Sequence, residues 1–153
     1  MADTKKELAV AALENGTVID HIPSDVLFQV AEILQISKIN TGVTIGNNLD
    51  SKRMGKKGII KVADVFFPQE TLNRIAVIAP NAKINLIRNY EIVSKYHVEL
   101  KDEICDIVKC NNPKCISNNE PMITRFRVLD RNNIELQCRY CGKKVNGTNI
   151  ILK

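Results

Sequence analysis

The segment Cys110-Asn-Asn-Pro-Lys-Cys115, followed further along by Cys138-Arg-Tyr-Cys141, decides how the last third of this chain folds. Each short pair of cysteines can supply two adjacent corners of a tetrahedral zinc shell. The tight turn inside each pair leaves backbone N–H groups free to point at the sulfurs and offset their charge. Because all four positions are thiolates, no corner is left open for water, and the ion is expected to be structural. The predicted zinc ligands are Cys110, Cys115, Cys138 and Cys141.

Spacing alone does not decide which cysteines are ligands, because there is a fifth cysteine, Cys105. In the sequence, Cys105 and Cys115 are equally far from Cys110. The residues after Cys105 alternate like a strand, whereas those after Cys110 suit a metal turn. We therefore interpret Cys105 as a small buried side chain and not as a ligand. Two disulfide bonds are the alternative to a metal site. The N-terminus is polar and lacks the apolar run of a signal peptide, and no stretch is long and apolar enough to span a membrane. These features predict a cytoplasmic protein, in which the cysteines stay reduced.

The uneven distribution of cysteine predicts two domains. All five cysteines follow residue 104 of a 153-residue chain, and the part that holds them is too small to fold well without a metal. We place a first domain at residues 1–99 and a second, a small all-β zinc ribbon, at residues 100–153. Strands of the second domain are expected at 123–129, 134–137 and 148–152.

The first domain has the element order β-α-β-β-α-β-β over residues 17–96. Its first six elements follow the ferredoxin-like plan, an α+β fold in which two helices cover one face of an antiparallel sheet. The seventh element adds an edge strand that can pair with a second copy of the chain. The strands are predicted at 17–22, 43–45, 59–62, 82–87 and 90–96, the helices at 26–34 and 68–79, and a polar loop at 47–58.

Alternation along the first strand predicts which side chains share a face. It places Val18, Asp20 and Ile22 on one face of the sheet and Ile19 and His21 on the other. In this plan the first and fourth strands are neighbours, and the fifth begins where the fourth turns back. Asp20 and His21 are therefore expected near residues 85, 90 and 95.

That grouping is typical of a nucleotide site, because cations and histidine suit a triphosphate and a carboxylate suits ribose hydroxyls. The pattern alone is weak, since an isolated histidine or strand lysine is more often an ordinary surface residue. Enzyme signatures are missing: the sequence has two histidines, no Gly-Lys-Ser/Thr phosphate loop and no G-x-G-x-x-G. An enzyme that uses Cys105 would lack a partner base.

The net charge of the chain is also compatible with a binding protein of another class. A net charge of +5 suits an anionic ligand or an acidic partner, without demanding nucleic acid. A nucleic-acid-binding zinc ribbon is the alternative function. The scarcity of aromatic residues argues against a stacking platform for single strands. The cations that support this alternative are Arg125, Arg127, Arg131 and Arg139.

Several motifs together resemble the regulatory chain of aspartate carbamoyltransferase. The resemblance covers residues 8–152, and the joint occurrence of the first motif with the cysteine spacing makes it specific. The matching stretches are Gly16-Thr-Val-Ile-Asp-His-Ile-Pro23, Ile45-Gly-Asn-Asn-Leu49, Met54-Gly-Lys-Lys57, Ala79-Pro80, Asn89-Tyr-Glu91 and the four cysteines with Cys115-Ile-Ser.

The resemblance implies a non-catalytic, allosteric subunit of pyrimidine biosynthesis. Its N-terminal domain would bind CTP or UTP as inhibitors and ATP as activator, at one overlapping site. Its zinc domain would contact the catalytic chain. Regulatory homodimers, joined through the N-terminal domain, would bridge catalytic trimers in a dodecamer of six chains of each kind, with neither nucleic acid nor a membrane as a partner.

By position, the resemblance also implies the residues of the nucleotide site. Val10, Ala12 and Leu13 would border the base and ribose. Asp20 and Lys61 would reach the ribose, with Lys61 also close to the base.

The remaining implied contacts lie on the strands that follow. His21 and Lys95 would meet the phosphates, while Asn85, Tyr90 and Ile92 would complete the pocket, largely through backbone groups. The four cysteines named above match the zinc ligands of the family.

Overall fold

The computed structural model describes residues 12–52, 55–98 and 100–153 of the chain. The chain divides into two compact units, Met1–Val98 and Glu99–Lys153, each with its own sheet. Val10, implied at the nucleotide site, lies outside the described residues. Among the helices described, none is long and apolar enough to cross a membrane.

The first unit is an antiparallel sheet with two helices on one face, as the element order predicts. The elements are β1 (Gly16–Pro23), α1 (Leu27–Ile33), β2 (Val43–Ser51), β3 (Gly55–Ala63), α2 (Gln69–Ile78), β4 (Lys83–Arg88) and β5 (Glu91–His97). Helix α1 is followed by a 3-10 turn, Ile36–Lys38. The strand order is β2-β3-β1-β4-β5, so β1 is central and β2 and β5 are the edges.

The helix-side core of this unit follows from strand register. Ile19 pairs with Ile60 on one side and with Ile84 on the other, and all three are fully buried. Side chains of directly paired residues point to the same face of an antiparallel sheet, so these three form one apolar row. The buried faces of α1 and α2 contribute Leu27, Val30, Leu72, Ile75 and Ala76.

Gly16 fixes the start of the central strand. Its φ is +144°, and a Cβ atom there would lie 2.0 Å from the carbonyl oxygen of Val62. No side chain fits that distance, so only glycine allows β1 and β3 to pair at this point.

The second strand pair is longer than the sequence predicts. Residues 47–58 were expected to be a polar loop, but residues 47–51 continue β2 and residues 55–58 begin β3, with Leu49 opposite Lys57 and Asp50 opposite Lys56. The prediction of a loop was wrong because these polar residues lie in a bulged hairpin that is partly exposed to solvent. The register shifts between Gly46 and Leu49, which accommodates one extra residue in β2.

A second bulge, in β1, overturns the predicted face of Ile22. Ile19 pairs with Ile60 but Ile22 pairs with Gly58, so β1 has one extra residue, and His21 has a φ of +58°. A Cβ on Gly58 would meet the side chain of Leu27 in α1, so this pair faces the helices. Ile22 therefore shares a face with Ile19, not with Val18, because a bulge reverses the alternation beyond it.

The second unit is a small β structure with one short helix. Its main sheet has the order β10-β9-β8-β6, and β11 pairs with β7. The elements are β6 (Glu103–Cys105), β7 (Val108–Lys109), α3 (Ile116–Asn119), β8 (Arg125–Asp130), β9 (Glu135–Cys138), β10 (Lys144–Asn146) and β11 (Ile151–Leu152). The strands predicted at 123–129 and 134–137 are present, whereas the one predicted at 148–152 is limited to β11 because a 3-10 turn occupies Gly147–Asn149. Neither β10 nor α3 was anticipated.

Candidate functional site

The four predicted cysteine ligands converge on one point in the second unit. Their sulfur atoms all lie within 4.8 Å of one another, with Sγ–Sγ distances of 3.6 Å for Cys110–Cys141 and 3.7 Å for Cys115–Cys138. In a tetrahedral shell with metal–sulfur bonds of about 2.3 Å, neighbouring sulfurs are about 3.8 Å apart. The cysteines are free thiols and not disulfides. The cluster therefore fits a tetrahedral metal ion.

Local backbone structure places these sulfurs. Cys115 lies directly before α3, and its N–H donates to the carbonyl of Asn112 at 3.0 Å, which closes the first turn. Cys138 ends β9, and its carbonyl accepts from Gly142 N–H at 3.0 Å in the second turn. Gly142 has a φ of +78°, which suits glycine. Each turn thus holds two ligands at adjacent corners.

Two asparagine side chains that the sequence reading missed support the first turn. The amide of Asn118 donates to the carbonyls of Cys110 and Asn112, at 2.8 Å each. The amide of Asn119 donates to the carbonyl of Cys115 at 2.8 Å. These bonds fix the ligand-bearing backbone rather than the sulfurs themselves. The sequence feature that could have identified these two residues is the Asn-Asn pair directly after Cys115-Ile-Ser.

The thiols differ in acidity. Burial raises the pKa of Cys110 to about 12 and raises the pKa of Cys138 as well. Burial alone would also raise the pKa of Cys141, but hydrogen bonds, chiefly from the backbone of Lys143 and the side chain of Asn112, outweigh it and lower that pKa to about 7. Without a cation, the thiols of Cys110 and Cys138 stay protonated at neutral pH, so a metal must displace those protons to bind.

Cys105 lies outside this cluster and is exposed, which contradicts its expected burial. It is on the solvent side of β6, paired with Arg125, whose Nη1 lies 4.0 Å from the sulfur. The strand alternation was correct, but Ile104 is the residue of β6 that faces the core.

In the first unit, predicted site residues form a row across the sheet. Lys61 on β3 pairs with Val18 on β1, Val18 pairs with Asn85 on β4, and Asn85 pairs with Lys95 on β5. Paired side chains share a face, and Val18 neighbours the helix-side residue Ile19, so this row lies on the side opposite α1 and α2. We call this side the Val18 face. It brings Lys61, Asn85 and Lys95 to one surface.

An apolar cluster lies in the middle of the Val18 face. Val18, Ile59 and Ile87 are buried together, and Leu13 and Leu49 pack against them while remaining partly exposed. Leu13, implied at the nucleotide site, therefore contacts the same surface as the row of polar residues. Ala12, next to it, is exposed.

The segment that carries Leu13 is tied to the turn between β4 and β5. The backbone N–H of Tyr90 donates to the carbonyl of Glu14 at 2.9 Å, and that of Asn89 to Oδ1 of Asn15 at 3.2 Å. Asn89 and Tyr90 have φ values of +52° and +66°, as a two-residue type I′ turn requires. Tyr90 is 66% exposed, so its side chain is not part of the core.

Asp20 occupies the bulge of β1, beside a cation the sequence reading did not single out. Its Oδ1 lies 2.9 Å from Nζ of Lys57 and accepts from the backbone N–H of His21 at 2.6 Å. The imidazole Nδ1 of His21 lies 3.6 Å from the same carboxylate oxygen. The bulge thus holds Asp20, His21 and Lys57 together.

Strand register also extends the Val18 face beyond the predicted residues. Ile92 pairs with Ile87 and is 48% exposed, which places it at the edge of the apolar cluster. At the other end, Lys83 pairs with both Asp20 and His97. Neither Lys83 nor His97 was predicted at a site. The position of His97 depends on a bulge in β5 that spacing does not reveal, whereas Lys83 shares the face of Asn85 by alternation along β4.

Comparisons with known proteins cover both units. Residues 8–99 match the family model for the allosteric domain of the aspartate carbamoyltransferase regulatory chain, and residues 102–151 match the model for its metal binding domain. The regulatory chain of Parabacteroides distasonis is 57% identical over 152 residues, with 99% of each chain covered. That of Pyrococcus horikoshii is 43% identical over 147 residues, covering 95% of this chain and 97% of the relative.

Proposed function

This chain belongs to the family of aspartate carbamoyltransferase regulatory chains, and from that premise we propose that it binds CTP or UTP as inhibitors and ATP as an activator on the Val18 face. It is a non-catalytic subunit whose partner is the catalytic chain. The nucleotide signal passes through the metal-binding unit to that partner.

The arrangement that carries the proposal is the row on the Val18 face. An apolar floor of Val18, Ile59 and Ile87 suits a base and the carbons of ribose. Lys95, on β5, supplies positive charge for phosphates, and Lys61, on β3, is placed to reach the ribose and the base. Asn85 lies between them on β4 and supplies hydrogen bonds. Apolar and cationic groups on one surface are what a nucleotide requires.

The remaining pocket residues have places consistent with this role. Ala12 and Leu13 precede β1, and Leu13 borders the apolar floor, while Tyr90 and Ile92 lie at the turn end of β4 and β5. Asp20 and His21 lie in the β1 bulge. Val10 belongs to the proposed site by position in the sequence alone.

The metal of the second unit is proposed to be zinc. Four thiolates with sulfur spacings close to a tetrahedral edge favour a soft cation without a vacant coordination position. When bound, the ion would hold the two cysteine turns together. Cys110, Cys115, Cys138 and Cys141 are its proposed ligands.

The proposed assembly is a dodecamer of six catalytic and six regulatory chains in the cytoplasm. Regulatory chains would associate as homodimers through the first unit, whose edge strands β2 and β5 both have an unpaired side within the described sheet. A reducing compartment suits the free thiols. A nucleotide that binds one quaternary state more tightly would shift the catalytic chains toward that state, by no more than its differential affinity.

Nucleic-acid binding by the second unit is the competing function. Arg125 and Arg127 lie on the exposed side of β8, but Glu103 approaches Arg125 and Arg139 at 3.9 and 4.0 Å and offsets part of their charge. Binding of this kind would weaken steeply with salt and would not respond to CTP.

Calorimetric titration of the zinc-loaded chain with CTP, UTP and ATP, followed by co-purification with a carbamoyltransferase catalytic chain, tests the proposal. We expect saturable binding of each nucleotide, mutual competition between them, and a stable complex with the catalytic chain. If no nucleotide binds and no complex forms, the proposed function is wrong.

A further inference from the structure

The chain contains the sequence Asn-Gly-Thr twice, once in each unit, at residues 15–17 and 146–148. An asparagine followed by glycine readily loses its side-chain amide, because glycine has no side chain to hinder attack by its own backbone nitrogen on that amide. The attack requires the connecting peptide to rotate until the nitrogen approaches the side-chain carbon. The two copies should therefore react differently if the fold restrains one peptide and not the other.

The first copy is held by the central sheet of the first unit. Gly16 is buried in β1 and is paired with β3 on one side and with β4 on the other. The side-chain oxygen of Asn15 accepts from the backbone N–H of Asn89 at 3.2 Å, and its carbonyl accepts from the N–H of Asp64 at 2.9 Å. Rotation of the peptide between Asn15 and Gly16 would break these bonds, so the fold protects the amide of Asn15.

The second copy lies at the end of an edge strand of the second unit. Asn146 is the last residue of β10 and is exposed, and its ψ of 158° is extended. Gly147 is also exposed and begins the 3-10 turn with a φ of +47°. A Cβ built on Gly147 would have no described residue other than the chain neighbours within 4 Å. This peptide therefore has the space to rotate that the first copy lacks.

We propose that Asn146, and not Asn15, is a site of spontaneous deamidation, and that the change weakens the strand pair that carries the second cysteine turn. The backbone nitrogen of Gly147 attacks Cγ of Asn146, so a new C–N bond forms and the bond from Cγ to Nδ2 breaks. Ammonia leaves with the proton of the Gly147 amide, and a cyclic succinimide remains. Water then adds to either carbonyl of the ring and opens it, which gives aspartate or isoaspartate at position 146.

The new carboxylate would complete a row of acidic residues across the sheet. Glu135 on β9 pairs with Asn146 on one side and with Asp130 on β8 on the other. An aspartate at position 146 places a like charge directly opposite Glu135, and such a pair destabilises neighbouring strands. Lys144, two residues away along β10, lies on the same face and offsets part of this repulsion. Isoaspartate would in addition lengthen the backbone and disrupt the register of β10.

The pairing of β9 with β10 also supports the second cysteine turn. Cys138 ends β9, Cys141 lies in the turn that leads to β10, and the N–H of Cys138 donates to the carbonyl of Lys143 at 2.9 Å. A weaker strand pair should therefore hold the metal less firmly. This consequence rests on the proposed zinc site, whereas the deamidation itself does not.

Peptide mass spectrometry of the zinc-loaded full-length chain, aged in mildly alkaline buffer, tests the deamidation. We expect the amide at position 146 to convert to the acid at least about tenfold faster than the amide at position 15, because only the former can reach the attacking geometry. In denaturant the two rates should become similar, since both asparagines precede Gly-Thr. Equal rates in the folded chain, or no conversion at position 146, would overturn the proposal.

Zinc release to a chelator tests the consequence. We expect Asn146→Asp to release zinc about twofold to fivefold faster than the unaltered chain, the effect of one like-charge pair across strands. Asn149→Asp, which adds the same charge in the 3-10 turn outside the acidic row, is the matched control and should release zinc at the unaltered rate. Equal release from the two variants would overturn the consequence. If the unaltered chain binds no zinc, the proposed metal site and this consequence both fail, and the mass spectra still decide the deamidation.

Discussion

The cysteine cluster of the second unit and the Val18 face of the first unit are encoded in the sequence in opposite ways. The cluster draws its four sulfurs from two short turns, and each turn sets the position of its own pair. The Val18 face takes one residue from each of four strands, and register alone brings Lys61, Asn85 and Lys95 together. A site made of local turns can be read from spacing, whereas a site made across a sheet depends on every strand pairing correctly.

The two regions also differ in what holds them together. The second unit has a small apolar core around Phe126 and Leu136, so the metal cluster provides much of its cohesion. The first unit has a continuous core between sheet and helices, and its surface site is a consequence of that core. Metal loss and damage to the sheet should therefore affect different functions.

The largest expected effect is the loss of one metal ligand. Cys138→Ser should unfold Glu99–Lys153, because binding of a structural zinc contributes on the order of 10 kcal/mol to the folding of such units. Limited proteolysis should then degrade the second unit and leave the first intact. Cys105→Ser is the matched control and should bind one equivalent of metal and resist protease as the unaltered chain does. Equal protection of both variants would contradict the assigned ligand set.

A glycine substitution should produce the largest effect in the first unit. In Gly16→Ala the new methyl group would collide with the carbonyl of Val62, and the φ of +144° disfavours alanine. We expect a loss of about 3 kcal/mol or more in the free energy of unfolding, measured by denaturant titration. Gly55→Ala, where φ is +79° but no described residue other than the chain neighbours would lie within 4 Å of the new Cβ, should cost only about 1 kcal/mol. Similar losses for the two would show that the close contact at Gly16 is not decisive.

The affinity of the cysteine cluster for metal should rise with pH. At pH 7 the raised pKa values of Cys110 and Cys138 keep both thiols protonated without metal, whereas Cys141, with a pKa lowered to about 7, is about half ionised. Binding must release at least about two protons, so affinity should fall about a hundredfold or more for each unit that pH drops near neutrality. Calorimetry in buffers of different ionisation enthalpy counts these protons. Release of fewer than one would contradict the proposed thiolate shell.

A smaller effect is expected for one cation of the Val18 face. Lys95→Gln should weaken CTP binding about tenfold, the value of one charge-assisted bond to phosphate, without changing metal content. Calorimetry and metal analysis on the same sample measure both quantities. Lys144→Gln in β10 of the second unit is a suitable control, since it removes an equal charge from the other region. Unchanged CTP affinity in Lys95→Gln would place the phosphates elsewhere.

The residues that sequence reading placed correctly are those governed by local rules. The ferredoxin-like order, the buried stripe of α2 and the four cysteines each follow from periodicity or spacing within a short segment. The comparisons confirm the family resemblance along nearly the whole chain.

What could not be predicted depends on bulges and register. The extra residues in β1 and β5 reverse the alternation of side chains between the two faces of the sheet. The predicted face of Ile22 was therefore wrong, and the position of His97 was not predicted. Polar residues of 47–58 suggested a loop because composition does not show that residues 49–51 pair with residues 55–57 across a hairpin. Cys105 was expected to be buried, although one step of alternation separates it from the core residue Ile104.

We propose that nucleotide sensing and partner binding reside in separate units, and that nucleotide sensing does not depend on the metal. Titration of CTP into the full chain before and after zinc is removed by a chelator, with the catalytic chain then added to each sample, tests it most directly. We predict CTP affinities that agree within about twofold, together with loss of the catalytic-chain complex only in the zinc-free sample. Loss of CTP binding on zinc removal, or normal assembly without zinc, would contradict the account.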